Sequence, residues 1–326
     1  MKRSGLRGAL VVLAGCAVVP AALGLDLQGH RGARGLAPEN TLPAFATALS
    51  IGVTTLELDT AVTKDGVVVV SHEPMPHPDT ARAPDGSWLK EPGPMIHSLT
   101  YAELLKYDVG RLNPASAYAK RYPLQDAVDG TRIPRLADVF ALAAKAGNSA
   151  VRFNIETKIN PQAPQATLPP EEFARAVIGA IRAGGIASRA AIQSFDWRTL
   201  KVVQVEAPEI PTVYLTAQQS WFNSFDAPGT WTAGIRYDAH GSAPKMVKAA
   251  GGKTWSPYFA DVDAAKLAEA RSLGIAVVVW TVNAPADIAR MIDLGVEGII
   301  SDRPDLVRAE MQRRAMALPA PTPVSP

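Results

Sequence analysis

A single cysteine, Cys16, is the only thiol in 326 residues. No disulfide can form within the chain, and a metal held by several thiolates is excluded. Charge is equally spare. There are 33 basic and 31 acidic residues, so the formal charge is +2, without the basic surplus of a nucleic-acid binder. No apolar run of 18 residues occurs beyond the N-terminus. No internal repeat is visible, and no Gly-rich loop with dinucleotide-binding spacing follows the first strand-like segment. What remains is 47% apolar and 20% charged, ordinary for a soluble globular enzyme of one large domain or two modest ones.

The N-terminus stands apart. Lys2, Arg3 and Arg7 precede an apolar stretch over 9–23, the charged and apolar regions of an export signal. Pro20 breaks that run, and Ala22-Leu23-Gly24 offers small residues for cleavage. We expect a signal peptide over 1–24 and an exported, periplasmic or secreted mature chain with 30 basic against 31 acidic residues. Leu13-Ala14-Gly15-Cys16 also matches a bacterial lipobox, so a lipid on Cys16, which would tie the chain to a membrane, is the alternative. Apolar sequence continuing past Cys16, where a lipoprotein would carry a polar tether, weighs against it. An uncut anchor is a third reading.

After the signal, strand-like and helix-like runs alternate. Strands are expected over 25–28, 54–60, 67–71, 151–158, 190–195, 212–216, 254–257, 275–282 and 298–301. Helices are expected over 40–51, 134–147, 170–184, 197–206, 264–273 and 285–294. Lys64-Asp65-Gly66 reads as a hairpin turn between the second and third strands. Alternation on this scale implies a parallel sheet covered by helices. About eight strands in a chain of this length favour a closed (β/α)8 TIM barrel over an open doubly wound sheet. Residues 73–131, rich in Pro, Gly and polar side chains, read as a cap inserted beside the barrel mouth. The irregular stretch 218–250, with Trp221, Phe222, Trp231 and Tyr237, reads as a second lip. The barrel domain is expected over 25–310, followed by a Pro-rich flexible tail over 311–326.

Barrels of this kind gather functional groups at the carboxyl ends of their strands. Here those ends carry His30-Arg31, Glu57 and Asp59, His72, Glu156 and Lys158, Gln193, Trp280 and Asn283, and Asp302. Glu57 and Asp59 are two apart on one strand and so share a face, where their charges repel unless a cation neutralises them. With Glu156 they make three hard oxygen ligands, suited to Mg²⁺, Ca²⁺ or Mn²⁺ rather than Zn²⁺. Taken singly, each acid is better explained as half of an ion pair; the convergence argues otherwise. Arg31 has the planar fork that grips phosphate, and Lys158 either pairs with Glu156 or meets a phosphate oxygen. His30 and His72 suit the two proton transfers of phosphodiester cleavage. His77, His97 and His240 lie in irregular segments and are read as structural.

The run from Gly29-His-Arg-Gly-Ala-Arg-Gly-Leu-Ala-Pro-Glu-Asn-Thr to Phe45 resembles the opening signature of the glycerophosphodiester phosphodiesterase family. Glu57-Leu-Asp59, Lys64-Asp-Gly and Val-Ser-His72 continue it in order and spacing. Asn154-Ile-Glu156-Thr-Lys158, Gln193-Ser-Phe195, Trp280-Thr-Val-Asn283 and Gly298-Ile-Ile-Ser-Asp302 are similar to later blocks, so the likeness spans 26–308. It implies a TIM barrel, one divalent cation, and hydrolysis of glycerophosphodiesters to glycerol 3-phosphate and an alcohol. It implies metal binding by Glu57, Asp59 and Glu156, acid–base work by His30 and His72, and substrate contacts from Arg31, Lys158, Gln193 and Trp280. The neighbouring glycerol hydroxyl would attack, giving a cyclic phosphate that water opens. One departure is Glu73 after His72, where the family usually has Asp. The rivals are a lysophospholipase D or sphingomyelinase D on lipid substrates, with Trp221, Phe222, Phe225 and Trp231 lining a groove, and an exported binding protein that does not cleave its ligand.

Overall fold

The computed structural model describes residues 24–226 and 228–326. The export-signal and lipobox readings therefore concern residues almost wholly outside the described ones. Eight parallel strands close into a barrel: β1 (Asp26–Gly29), β2 (Thr55–Val62), β4 (Arg152–Thr157), β5 (Ala190–Ser194), β6 (Thr212–Thr216), β7 (Thr254–Pro257), β8 (Ala276–Val279) and β9 (Gly298–Ser301). Pairing of β1 with both β2 and β9 completes the ring. The short β3 (Val68–Val70) turns back antiparallel to β2, as the Lys64-Asp65-Gly66 turn requires. Among the described residues, eight helices of seven or more residues wrap the outside: α1 (Leu42–Ile51), α2 (Leu136–Lys145), α3 (Pro170–Ala183), α4 (Trp197–Glu206), α5 (Ala243–Ala249), α6 (Ala264–Ser272), α7 (Pro285–Leu294) and α8 (Pro304–Arg313). Among the described residues, no helix is long and apolar enough to cross a membrane.

Local chemistry explains the first helix. The Thr41 hydroxyl accepts the Ala44 N–H at 3.4 Å, and Pro43 supplies a fixed φ in the first turn. Gly52, at φ +87°, ends the helix by donating to the Ala48 and Leu49 carbonyls. Phe45 and Leu49 are buried against the barrel; truncating Phe45 to Ala would cost about 3–5 kcal/mol. In β2 every residue is buried. Leu56 and Leu58 belong to the hydrophobic core, while Glu57 and Asp59 occupy the opposite face. The register sets Asp59 beside Glu156 and Glu57 beside Asn154 on β4, and Glu156 beside Gln193 on β5.

Residues 71–133, between β3 and α2, contain only the helical turns Ile96–Ser98, Tyr101–Leu104 and Ala119–Arg121. They hold a small core of their own, in which Ile96, Leu104 and Ile133 pack on Ala61 and Val69. Three segments differ from expectation. Within 218–250, expected to be irregular, Ser242 caps α5 and Pro244 opens it, a helix of seven residues that is too short to show periodicity. α8 was not anticipated; its buried apolar residues are Pro304, Val307 and Met311, with Leu306 partly buried beside them. The tail, expected to be flexible over 311–326, runs extended against α1 and α8. Thr322 N–H donates to the Leu49 carbonyl at 2.9 Å, and Asn148 Nδ2 reaches the Thr322 hydroxyl at 3.1 Å. Arg308 Nη1 holds the Pro319 carbonyl at 2.7 Å. Closely spaced prolines stiffen an extended strap, and the Leu49 carbonyl at the end of α1 accepts from it as well as from Gly52.

Candidate active site

Most functional side chains sit on a barrel strand or just beyond its carboxyl end, and His72 follows the short antiparallel β3. β1 ends in a tight turn over Gly29–Gly32. Gly32, at φ +84°, donates its N–H to the carbonyls of Gly29 and Glu57, both at 3.2 Å. A Cβ on Gly32 would lie 2.6 Å from the Ala44 carbonyl carbon, so α1 packs directly on the turn. Arg31 takes the left-handed region, φ +50°, unusual for a side-chain-bearing residue. That conformation aims its N–H at Glu57 Oε2, 2.9 Å away.

Glu57, Asp59 and Glu156 each place a carboxylate oxygen within 4.8 Å of the other two, and all three are buried. Burial and the charges of Asp59 and Glu156 push the Glu57 carboxyl well above its ordinary pKa. Burial raises Glu156 to about 7, with Lys158 opposing and Asp59 adding to the rise. Asp59 is held low despite burial, because Arg31 leads the positive charges around it. Lys158 Nζ bonds Glu156 Oε1 at 3.0 Å and lies 3.9 Å from Asp59. Arg31 Nε is 3.1 Å from Asp59 Oδ2 but poorly aligned, and makes no hydrogen bond. Three crowded, incompletely neutralised carboxylates of hard oxygen fit a divalent ion of the Mg²⁺ or Ca²⁺ class.

His30 and His72 flank this cluster. His30 Nδ1 meets Asp302 Oδ1 at 2.5 Å, which leaves Nε2 facing Glu57 at 3.9 Å. Asp302 also accepts from Arg34 Nε (2.9 Å) and Nη2 (3.1 Å) and from Asn283 Nδ2 (2.8 Å). Burial works against ionised Asp302, but Arg34 and His30 hold it far below the usual carboxylate range. His72 Nδ1 meets Glu73 Oε1 at 2.7 Å, so the longer acid still reaches its neighbour. Burial, aided by Arg34 for His30 and by Arg31 for His72, lowers both imidazoles to about 4.

Two hollows meet at these groups. The inner one, about 150 Å³, is lined by His30, Glu57, Asp59, Glu156, Lys158, Gln193, Phe195 and Trp280. The outer one, about 410 Å³, lies under the cap between Glu39, Glu73, Asp79, Tyr118 and Arg121. Arg31, Arg34 and His72 line both, whereas His30 lines only the inner one.

All nine residues expected at the site therefore converge, with two qualifications. Arg31 is already engaged: Nη1 bonds Glu39 at 2.5 Å, and the Tyr118 hydroxyl donates to the same carboxylate. Gln193 is 1% exposed, and its amide nitrogen is committed to Glu57 Oε1 at 2.6 Å. Sequence reasoning left Arg34, Glu39, Asn40 and Tyr118 without roles. Asn40 at φ +57° donates to Asp59 Oδ2 at 2.9 Å and accepts the Asp59 N–H at 3.3 Å. Glu39 and Asn40 could have been suspected as polar residues before a helix cap; Tyr118, deep in the cap, offered no signal.

The model of the glycerophosphoryl diester phosphodiesterase family matches residues 30–306. A glycerophosphodiester phosphodiesterase of Bacillus subtilis is 28% identical over 283 residues, 85% of this chain and 83% of that protein. The crystal structure of a Silicibacter pomeroyi protein, provisionally assigned as a glycerophosphoryl diester phosphodiesterase, superposes with a TM-score of 0.81 at 36% identity, covering 91% of this chain and 96% of that one. An Oleispira antarctica phosphodiesterase, solved with its product sn-glycerol-3-phosphate, shares the fold at 20% identity and a TM-score of 0.62, covering 87% of this chain and 96% of that one. With the family model matched from the first site histidine to the start of α8, the chain belongs to the glycerophosphoryl diester phosphodiesterase family.

Proposed function

We propose that this chain hydrolyses glycerophosphodiesters to glycerol 3-phosphate and an alcohol, with one divalent cation, Ca²⁺, Mg²⁺ or Mn²⁺, held by Glu57, Asp59 and Glu156. The observation that carries the reading is the buried acidic triad with an imidazole on either side. A bound ion would draw charge from a phosphoryl oxygen and stabilise the transition state. A diester has two arms, and the site has two hollows. The inner one, walled by Phe195 and Trp280, suits the glycerol arm; the outer one suits the departing alcohol. Lys158, and whatever N–H groups of Arg31 its carboxylates leave free, neutralise the phosphate.

The placement of the two histidines supports distinct tasks. His30, facing the inner hollow, takes the proton of the glycerol hydroxyl as its oxygen bonds to phosphorus. The bond from phosphorus to the alcohol oxygen breaks, and that oxygen takes a proton from His72, which enters the step as the imidazolium, as it leaves toward the cap. In the second step water gives its proton to His72, attacks phosphorus and opens the cyclic phosphate, while His30 returns a proton to the glycerol oxygen. The decisive assay is release of glycerol 3-phosphate from a panel of glycerophosphodiesters, with chelated protein reloaded by each cation. Activity lost in chelator and restored by a cation is expected; full turnover in excess chelator would refute the reading.

One observation favours a second reading, a lysophospholipase D or sphingomyelinase D acting on lipids. Trp221 is 59% exposed and packs edge-on against Trp280 and Tyr258, extending the inner wall outward. Against it, Phe222, Trp231 and Phe195 pack edge-on against one another, and Phe225 turns away onto Tyr237. Glycerophosphocholine turned over in preference to lysophosphatidylcholine is the outcome that sustains the first reading. We also propose export of the chain, supported by the charged and apolar N-terminus; the mass of the mature N-terminus separates cleavage near Gly24 from lipidation of Cys16.

A further inference from the structure

We infer that Gln193 and Asn154 are positioning residues for the metal site, forming a one-way hydrogen-bonded relay that fixes the orientation of the Glu57 carboxylate. The barrel interior contains a line of side chains that an ordinary barrel core would fill with apolar residues. At the floor, Gln28 Nε2 donates to Asp26 Oδ2 at 2.9 Å. Asn154 Nδ2 donates to Gln28 Oε1 at 3.0 Å and to Gln193 Oε1 at 2.8 Å. Gln193 Nε2 then donates to Glu57 Oε1 at 2.6 Å, while the Arg31 N–H takes the other carboxylate oxygen at 2.9 Å. Gln28, Asn154 and Gln193 are all buried.

The polarity of this line is fixed from both ends. An amide has one accepting oxygen and one donating nitrogen. The Glu57 carboxylate accepts only, so Gln193 must turn its nitrogen upward and its oxygen toward Asn154. The Asp26 carboxylate at the floor likewise turns the Gln28 oxygen inward. Two oxygens then converge on one residue, which must supply two N–H groups; the Asn154 amide has two and uses both. The Asn154 oxygen has no hydrogen-bond partner although it is buried. Leaving a buried acceptor unpaired is unfavourable, and the compensation lies at the other end, where Gln193 cannot flip to present its oxygen to Glu57. With the Gln193 donor on one oxygen and the Arg31 N–H on the other, the Glu57 carboxylate is held in one orientation beside Asp59 and Glu156.

The inference rests on the metal reading of the three acids, and one experiment separates the two. Ca²⁺ alone, then Mg²⁺ alone, is titrated calorimetrically into the chelated parent chain and into Gln193→Leu, Asn154→Leu and Gln28→Leu. Unfolding in chelator is followed in parallel, because all three replacements alter the same core. The relay predicts a gradient: Gln193→Leu weakens cation affinity by about 10- to 100-fold, Asn154→Leu by less, and Gln28→Leu by under about threefold. A purely structural role predicts no such order, since losses would follow unfolding temperature. Should Gln193→Leu fail to fold, Gln193→Met, unbranched and of similar length, replaces it in the comparison. Parent-like affinity in either Gln193 variant, or equal losses in all three positions, overturns the relay. A parent chain that binds neither cation overturns the metal reading itself.

Discussion

Replacing Asp302 by Asn keeps the side-chain volume and removes one charge, and the structure gives two separate consequences. The carboxylate is 3% exposed and accepts from Arg34 twice, from Asn283 once and from His30. Without its charge, the buried Arg34 guanidinium loses its ion-pair partner, which costs about 3–5 kcal/mol. For a chain of this size that lowers the melting temperature by on the order of 10 °C. The second consequence concerns the imidazole. An Asn amide can present its N–H to His30 Nδ1, which then accepts, and the ring proton moves to the nitrogen that faces the cluster. A base with its proton on the reactive nitrogen cannot take another, so kcat should fall by about 10²–10⁴ with KM little changed. The pH dependence of the stability gap has a definite sign. The Asp302 pKa is depressed in the folded state, so its stabilising contribution is complete above the unfolded value, about 4, and is lost as pH falls below that. The parent's lead over Asp302→Asn should therefore narrow in acid. Thermal unfolding at several pH values and steady-state release of glycerol 3-phosphate measure both effects. A variant that melts lower yet keeps kcat within about threefold would refute the orienting role and leave Asp302 as a structural partner of Arg34.

Two further outcomes follow from the backbone. Gly32→Ala forces a side chain onto φ +84° and against the Ala44 carbonyl, so urea unfolding should show a loss of about 2–4 kcal/mol at an unchanged m-value; a loss under about 0.5 kcal/mol would contradict the close packing of the turn on α1. Truncation after Met316 removes the strap and exposes the carbonyl of Leu49, so the melting temperature should drop by a few degrees, worth about 1–3 kcal/mol, with kcat unchanged; an unaltered melting curve would mean that the strap contributes nothing.

The barrel was legible because its signals are periodic and local. Glu57-Leu-Asp59 shows a strand's two faces in three residues, and Gly52 or Pro170 mark helix ends whatever surrounds them. α8 and α5 escaped because one carries few apolar residues and the other is a bare two turns. Proline spacing in 318–326 suggested disorder, yet an extended chain needs only a partner for its backbone, and that partner, Leu49, is remote in sequence. The triad could be named from the strand ends. The Asp302–Arg34–His30 contact joins residues about 270 positions apart, and the locking of Arg31 by Glu39 and Tyr118 depends on how the cap folds back. The direction of Gln193, toward a ligand rather than toward open space, is set by a neighbour on another strand.

All three acids come from β2 and β4, strands adjacent in the ring, and none from the seam where β1 meets β9. On the metal reading, this one pair in correct register supplies every acidic ligand, and β5 adds the support of Gln193 before the circle shuts. A slip of one residue on β2 would swing both of its carboxylates among the helices and abolish capture at once. On that reading, cation uptake during refolding would report when the first sector of the cylinder has formed, ahead of catalytic competence.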